Sequence, residues 1–342
     1  MGMASNAFKQ GTVNYYRLGP LLSRNGVINM VLGPRGDGKT FAAKEQVIRN
    51  AINKGEEFIY LRRYQKELDS RHTFFDDVRF KFPDHEFKVD GKRAMMKVPG
   101  DSKFSCIGYF IALSTSQQKK SVAFPNVTVI VFDEFLIDKG AIRYIPQEVK
   151  VLLDFLSTVD RYKDKTRLVM ISNSVAIANP YFQEWSIRVN KDQEWWSDKT
   201  GFVVIHFIKD HIFAQQVRET RLGAFISDTE YGKYAVDAEF SDNGDNLIKT
   251  KSASARYRFT LETATGTFSV WTDIFEGVYY VQSRRPRGGE IMFTMIPNSV
   301  SEEMMLIAYN HKLLGQLRSS YSRGRMFFDG PEARNAFIGV LT

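Results

Sequence analysis

The chain has 342 residues, 43% hydrophobic and 25% charged, a balance typical of a globular protein of about two domains. Its single cysteine, Cys106, excludes an internal disulfide and a cysteine-ligated metal site, and no apolar run reaches the ~20 residues needed to span a bilayer. The net charge of +8 favours a polyanionic partner such as nucleic acid. We therefore expect a cytoplasmic protein with no membrane partner.

Apolar runs and helical periodicity alternate along the first 212 residues. The pattern predicts strands over 27–32, 57–63, 104–113, 127–132 and 166–174, and helices over 39–55, 66–82 and 147–165. A hairpin is predicted over 85–98, with Asp90-Gly91 in its turn. Strands that alternate with helices indicate an α/β fold with a mostly parallel sheet covered on both faces.

The pattern changes near residue 212 to short, polar segments punctuated by glycine. Residues 256–283 then show three alternating strands with Thr265-Gly266 and Glu276-Gly277 as turns, which predicts an antiparallel meander. A helix is predicted over 301–324, with its cap at Ser301. We expect three parts: an α/β domain over 1–212, a linker over 213–245 and a small α+β domain over 246–342.

The segment GPRGDGKT, residues 33–40, matches the spacing of a phosphate-binding loop between a strand and a helix. The predicted nucleotide-binding residues are Gly33, Pro34, Arg35, Gly36, Asp37, Gly38, Lys39 and Thr40. Glycines let successive backbone N–H groups face the phosphates of ATP, and the helix that follows favours an anion at its N-terminus. Lys39 is expected to reach the β- and γ-phosphates and Thr40 to ligate Mg²⁺. Arg35 either touches phosphate or braces the turn.

The most apolar predicted strand, "VTVIVF", runs into Asp133-Glu134. Asp133 is expected to hold Mg²⁺ through water, and Glu134 to orient and polarise the attacking water. Adjacent side chains on an extended segment point in opposite directions, which permits two different roles. A glutamate beside the magnesium acid favours true hydrolysis over a passive nucleotide switch.

Several further segments accompany the loop in order: "EFIYLRRY", "FPDHEF", "FPNVTVIVFDEF", "YIPQEV", "TRLVMISN", "NPYF" and "DTEYG". With GPRGDGKT, this combination resembles the DNA-packaging ATPases of phi29-type tailed bacteriophages from about residue 27 to residue 280. The resemblance implies an additional-strand P-loop ATPase domain, RecA-like or FtsK-HerA-like. It also implies a C-terminal domain that resembles a vestigial RNase H-like nuclease without cutting activity.

The resemblance also implies a motor that drives double-stranded DNA through the portal of a procapsid. Such a motor is a homo-oligomeric ring, usually a pentamer, that docks through a structural packaging RNA. It would act in the host cytoplasm, attached transiently to the procapsid and absent from the mature virion. One departure from the family follows the segment "FIYLRRY": this chain has Gln65-Lys66 where the family can have a lysine and a proline.

Three further catalytic roles follow from the resemblance. Arg161 falls on the family's trans-acting arginine finger, Lys120 on a lysine that assists in trans, and Asn173 where a polar residue senses the γ-phosphate. A ring motor needs a neighbour's charge at the γ-phosphate, so that hydrolysis depends on assembly. The alternative for Arg161 is a solvated cation at a helix C-terminus, where the helix dipole favours it.

The C-terminal part is rich in basic residues. Candidate nucleic-acid contacts are Arg256, Arg258, Arg284, Arg285 and Arg287; solvated surface charge is the alternative. Glu262, Asp273 and Glu276 form no convincing cluster for metal-dependent cutting. Two other functions stay open: a large terminase with an active nuclease, and a nucleotide-gated assembly or scaffold protein that does no mechanical work.

Overall fold

The chain folds as two compact units. In the computed structural model the first unit comprises residues 1–176 and 188–241, and the second comprises 177–187 and 242–342. The described residues are 15–119, 122–137, 144–173, 179–185, 187, 193–209, 211–226, 229, 247–263, 265–284, 288 and 291–341. Most of the predicted linker lies outside them, so the division after residues 212 and 245 stays a prediction. No pattern in the sequence predicts that residues 177–187 group with the second unit.

The strands of the first unit are β1 (Ile28–Leu32), β2 (Glu57–Arg62), β3 (Glu86–Asp90), β4 (Arg93–Lys97), β5 (Ser105–Ala112), β6 (Val127–Asp133), β7 (Arg167–Ser172), β8 (Trp195–Ser197) and β9 (Val203–Phe207). Those of the second unit are β10 (Arg256–Thr263), β11 (Gly266–Asp273), β12 (Val278–Gln282), β13 (Met292–Thr294), β14 (Met304–Leu306) and β15 (Met326–Phe328).

The α-helices are α1 (Gly19–Leu22), α2 (Lys39–Lys54), α3 (Glu148–Asp160), α4 (Pro180–Glu184), α5 (His211–Arg218), α6 (Arg221–Ile226), α7 (Lys312–Ser322) and α8 (Pro331–Leu341). Short 3₁₀ segments cover Gln65–Thr73, Arg79–Lys81, Leu113–Lys119 and Pro297–Ser299. Among the described residues, no helix combines the length and apolar character that crossing a membrane requires.

The first unit is built on a sheet of order β3-β4-β5-β2-β6-β7-β1-β9-β8. Its six central strands, from β5 to β9, run parallel, whereas β3, β4 and β8 pair antiparallel at the edges. Every residue of β1 is buried, as expected for a strand covered on both faces. The predicted mostly parallel α/β sheet is confirmed.

This strand order brings three carboxyl ends together. β7 lies between β6 and β1, with Asp133 beside Ile171 and Leu32 beside Ser172. The segments that follow these strands therefore emerge side by side at one edge of the sheet. They are the phosphate loop, the acidic pair and Asn173.

Two predicted helices of the first unit are corrected. The helix expected over 66–82 is replaced by 3₁₀ segments and turns, closed by i→i+3 bonds such as Phe74 N to Arg71 O (3.0 Å) and Val78 N to Phe75 O (3.1 Å). This path buries Phe74, Phe75 and Val78 together, which outweighs the modest helix propensity of the segment. The helix expected over 147–165 ends at Asp160, because Arg161 adopts a left-handed conformation.

The second unit is an α+β structure with a sheet of order β14-β13-β10-β11-β12-β15. The predicted meander of β10, β11 and β12 is confirmed as antiparallel. The core joins β10 and β11 to α7 and α8 through Leu261, Val270, Leu314 and Phe337. The helix predicted over 301–324 is wrong in its first half, which contains the short strand β14 and turns; α7 begins only after His311, whose side chain caps it.

Candidate nucleotide-binding site

The phosphate loop connects β1 to α2. Gly36 and Gly38 have φ angles of 91° and 88°, in the left-handed region where a side chain is disfavoured. Gly38 is also the residue from which α2 starts, so Lys39 and Thr40 occupy its first two positions. The loop thus has the strand–loop–helix arrangement that phosphate binding requires.

The Lys39 ammonium is buried inside this loop, with 2% of the side chain exposed. Its Nζ donates to the carbonyl oxygens of Gly33 (3.1 Å) and Pro34 (2.5 Å) and to Asp37 Oδ1 (2.9 Å). Burial lowers the pKa of Lys39, while Asp37 opposes the shift. The loop therefore holds a cation at the centre of its concavity, where a phosphate would be attracted.

Thr40 and Asp133 meet although 93 residues separate them in sequence. Thr40 Oγ1 donates to Asp133 Oδ1 (3.2 Å) and Oδ2 (3.3 Å), and Tyr60 OH donates to Oδ2 (2.5 Å). Burial and the neighbouring Asp133 raise the pKa of Tyr60, which stays a neutral donor. A hydroxyl beside a carboxylate is an all-oxygen donor set of the kind Mg²⁺ prefers, so the predicted metal residues fit that ion.

Glu134 follows β6 in a left-handed conformation, with φ of 57°. Its side chain is 53% exposed, and its Oε2 accepts from Arg62 Nη2 at 2.5 Å. Arg62 also contacts Glu67 (3.1 Å) and lies 3.7 Å from Asp133. Burial alone would lower the pKa of Arg62, but Glu134 and Asp133 hold it above its usual value. The predicted base is therefore held by a cation of its own chain.

A buried ion pair supports the backbone at Glu134. Arg63 donates to both carboxylate oxygens of Glu148, at 2.8 and 2.9 Å, and to the carbonyl oxygens of Glu134 (3.2 Å) and Phe135. Glu148 lies in the first turn of α3. The pair thus connects the end of β2, the acidic segment after β6 and the start of α3.

Sequence reasoning missed Tyr60, Arg62, Arg63 and Glu148. For Tyr60, Arg62 and Arg63, the available signal was the "YLRR" segment at the end of β2, whose position beside β6 depends on the strand order. Two arginines at the end of an apolar strand can be assigned to a site only when the strand that lies beside them in the sheet is known.

Asn173 lies immediately after β7, on the wall of a cavity of about 590 Å³ beside the phosphate loop. The structure therefore brings Asn173 to the loop, as predicted from its strand. The cavity is lined by Tyr15, Arg35, Gly36, Asp37, Gly38, Lys39, Thr40, Phe41, Phe80, Lys81 and Asn173. Arg35 is exposed.

Arg161 is not part of this cavity. It ends α3 at the opposite edge of the sheet, where its Nη2 contacts the Val122 carbonyl (3.5 Å) ahead of β6. The seven residues of β6 span about 20 Å, which separates this edge from Asp133. The side chain is exposed, so it is accessible to another molecule and remote from its own phosphate loop.

The turn that carries Arg161 is held by one carboxylate. Arg161, Tyr162 and Asp164 all have positive φ angles, of 50°, 58° and 51°. Asp160 accepts from the backbone N–H groups of Asp164 (2.9 Å), Lys165 (3.0 Å) and Thr166 (2.9 Å). Desolvation opposes the shift, but these bonds hold the pKa of Asp160 below its usual value.

Three predicted residues lie outside the described part of the chain: Lys120, Arg285 and Arg287. Arg256 and Arg258 are exposed on β10, and Arg284 is exposed after β12. Through the register, Arg256 and Arg284 lie near opposite ends of β12. Among the described arginines, Arg256 and Arg284 are therefore separated by the length of β12.

The acids of the meander do not converge either. Glu262 pairs with Thr267, and Asp273 lies at the other end of β11, about 20 Å away. Hydrogen bonds from Ser252 and Ser254 lower the pKa of Asp273 to about 2, so this carboxylate organises its own turn. Within the described residues, no group of three or more His, Cys, Asp or Glu could hold a metal ion.

Comparisons with known proteins give consistent matches over nearly the whole chain. The family described as "Podovirus DNA encapsidation protein (Gp16)" matches residues 11–340. The DNA packaging protein of Bacillus phage phi29 is 35% identical over 325 residues, 94% of this chain and 95% of that protein. The DNA packaging protein of Bacillus phage B103 is 33% identical over 312 residues, 90% of this chain and 94% of that protein.

Solved structures agree with the sequence matches. A chain of the bacteriophage Phi-29 viral genome packaging motor assembly superimposes with a TM-score of 0.66 at 34% identity, covering 94% of this chain and 96% of that one. The N-terminal domain of the DNA packaging ATPase from bacteriophage phi29 gives 0.53 at 37% identity, covering 58% of this chain and 98% of that domain. The Phi-28 gp11 DNA packaging motor shares the fold, with a TM-score of 0.69 at 22% identity over 96% of this chain and 98% of that one.

Proposed function

The chain belongs to the podovirus DNA encapsidation protein family, and from that premise we propose that it hydrolyses ATP to drive double-stranded DNA into a procapsid. It is a DNA packaging protein of the phi29 type and an ATPase. The coupling of hydrolysis to translocation, the roles of individual residues and the assembly are our proposal. The observation that supports this proposal most directly is the contact between Thr40 and Asp133 beside the buried Lys39.

In the proposed chemistry, the loop from Gly33 to Thr40 holds the triphosphate. Lys39 exchanges its contacts with loop carbonyls for phosphate oxygens, which bind a cation more strongly because they are charged. Thr40 and Asp133 hold Mg²⁺, which when bound supplies neutralising charge at the phosphates. Glu134 leaves Arg62 and accepts a proton from the attacking water as general base. Asn173, on the cavity wall, contacts the γ-phosphate.

Arg161 is proposed to act on a neighbouring copy. Its position at the far edge of the sheet supports this role, since it cannot reach the phosphate loop of its own chain. Each active site is then completed by two copies, as expected for a ring in which hydrolysis depends on assembly. Lys120 is proposed to assist in trans.

The proposed assembly is a homo-oligomeric ring, a pentamer, at the portal of the procapsid in the host cytoplasm. A relative in a viral genome packaging motor assembly supports this arrangement. A structural packaging RNA is proposed as the docking partner, and the second unit as a nucleic-acid-binding domain without nuclease activity. Arg256, Arg258, Arg284, Arg285 and Arg287 are its proposed contacts.

The test measures DNA-stimulated ATP turnover and Mg²⁺-dependent DNA cutting with the full chain. Lys39→Ala should lose nucleotide binding, whereas Lys54→Ala, an exposed lysine at the other end of α2, should behave as wild type. Glu134→Gln should bind ATP and turn over at least ~10²-fold more slowly, as expected when a positioned base is lost. Normal turnover by Glu134→Gln would refute the assignment, and clean cutting would indicate an active terminase nuclease.

The trans role is tested by mixing subunits. Arg161→Ala keeps Glu134, and Glu134→Gln keeps Arg161, so an interface of the two variants can combine an intact base with an intact finger. In rings assembled from equal amounts, about a quarter of interfaces should have that combination. Turnover should therefore recover in the mixture; no recovery at any mixing ratio would argue that Arg161 acts elsewhere.

A further inference from the structure

The cavity beside the phosphate loop has an aromatic end that phosphate binding does not explain. Tyr15 and Phe80 line it with 52% and 66% of their surface exposed, and Phe41 lies next to Phe80. Contiguous exposed apolar surface rimmed by polar groups marks a ligand-binding groove. At about 590 Å³, the cavity is of the size that accommodates a small organic ligand and exceeds what a triphosphate needs.

Tyr15 is fixed to the phosphate loop by its neighbours. Tyr16 N donates to the Asp37 carbonyl at 2.9 Å, which ties this segment to the middle of the loop. The Tyr15 ring lies against Gly38, so that a Cβ on Gly38 would be 3.0 Å from Tyr15 Cδ1. The ring is therefore held beside the point where α2 begins.

Phe80 is presented by a rigid turn. Arg79 N donates to Phe75 O (2.9 Å) and Lys81 N to Val78 O (3.1 Å), and the flanking Val78 and Phe82 are buried. The buried neighbours anchor the turn while the Phe80 ring stays exposed.

A second ring and a cation complete this end of the cavity. Phe80 and Phe41 stack with centroids 6.0 Å apart and an interplanar angle of 26°. Lys81 Nζ lies 5.7 Å from the Phe80 centroid and 6.0 Å from that of Phe41. This end thus combines planar apolar surfaces with one cation.

We propose that Tyr15 and Phe80 form the base subsite of this cavity and stack against the nucleobase of the bound nucleotide. The inference rests on the proposed nucleotide-binding function, because a base reaches these rings only when the loop holds the phosphates of the same nucleotide. A flat heteroaromatic ring is the ligand that best covers exposed aromatic faces, since stacking depends on the π-face and not on particular hydrogen bonds. Phe41, which also lines the cavity, stacks with Phe80 and helps to hold its ring in place.

The experiment compares a nucleotide with its phosphate chain alone, using the full chain and isothermal titration calorimetry. The probes are the non-hydrolysable ATP analogue AMP-PNP and inorganic tripolyphosphate, both with Mg²⁺. Tyr15→Ala and Phe80→Ala should each weaken AMP-PNP binding about tenfold, the range expected for one lost stacking contact. Tripolyphosphate affinity should change by less than about twofold, because the loop is untouched.

Conservative and remote variants provide the controls. Tyr15→Phe and Phe80→Tyr keep a ring and should bind AMP-PNP as wild type does. Phe275→Ala removes a ring that is 92% exposed in the second unit and should change neither affinity. Because Tyr15 and Phe80 are mostly exposed, their alanine variants should keep the wild-type thermal midpoint.

The outcomes separate the two proposals. Selective loss of AMP-PNP affinity supports the base subsite. Unchanged AMP-PNP affinity, or equal losses for both probes, would overturn it and leave nucleotide binding intact. Wild-type protein that binds neither probe would overturn nucleotide binding itself.

Discussion

Replacement of Glu148 by alanine should unfold the first unit at a much lower temperature. Arg63 and Glu148 are 2% and 0% exposed, and two short hydrogen bonds join them. Removing one partner of a buried pair costs about 3–5 kcal/mol, because the remaining charge stays in a medium of low polarity. For a unit of this size that loss corresponds to a decrease in Tm of about 10 °C.

Glu148→Ala should lower ATP turnover as well as thermal stability. Arg63 also holds the carbonyl oxygens of Glu134 and Phe135, so a displaced guanidinium would release the backbone of the proposed base. We expect lower turnover by Glu148→Ala even well below its Tm. Glu148→Gln keeps the shape and one acceptor, and should fall between wild type and Glu148→Ala in both properties.

Differential scanning calorimetry of the full chain measures the effect. The matched control is Asp76→Ala, which breaks the Arg79–Asp76 pair, where both side chains are 55% exposed. An exposed pair contributes at most about 1 kcal/mol, so this control should shift Tm little. Equal shifts for Glu148→Ala and Asp76→Ala would refute the conclusion that burial makes the Arg63–Glu148 pair important.

Three more predictions concern pH, backbone and metal. Burial lowers the folded-state pKa of His206 although Glu194 opposes it, so the unfolded chain binds more protons below about pH 6.5. Tm should therefore fall on acidification, and less steeply for His206→Gln; equal slopes would contradict this. Gly38→Ala should lose nucleotide affinity as well as about 1–2 kcal/mol of stability, whereas Gly55→Ala, at a positive φ in open space, should lose only stability. Thr40→Val should raise the Mg²⁺ concentration for half-maximal turnover at least about tenfold, measured by metal titration against wild type; an unchanged midpoint would exclude Thr40 as a ligand.

The parts of the site that follow a strand could be predicted from the sequence. A phosphate loop is a local feature, and the apolar strands that precede Gly33, Glu134 and Asn173 are unambiguous. Parallel strands place such ends at one edge whatever their order, so these segments could be expected at the same edge, although which of them are neighbours depends on the strand order.

Residues contributed by a neighbouring strand could not be predicted. Tyr60 and Arg62 reach Asp133 and Glu134 only because β2 lies directly beside β6. That adjacency depends on crossovers between strands that are distant in sequence, and no local pattern specifies it.

The predicted ends of helices were wrong where tertiary contacts outweighed the helical periodicity of the sequence. Helical spacing over 66–82 also suits a chain of 3₁₀ turns that buries the same aromatic side chains. Likewise, the sequence of α3 continues in helical register past Asp160, but the Asp160 carboxylate captures three N–H groups of the following turn. Tertiary contacts and capping hydrogen bonds of this kind compete with intrinsic helix propensity, and propensity alone does not predict them.

Because Arg161 is separated from its own phosphate loop, the number of complete active sites depends on how many copies assemble and on whether the assembly closes. If each site needs Arg161 from the next copy, an open row of copies has one complete site fewer than it has members, and a lone copy has none. Closing the row into a ring supplies the missing site without any new contact type. Specific activity should therefore rise with protein concentration toward a plateau at ring closure, while nucleotide binding per subunit stays constant throughout the series.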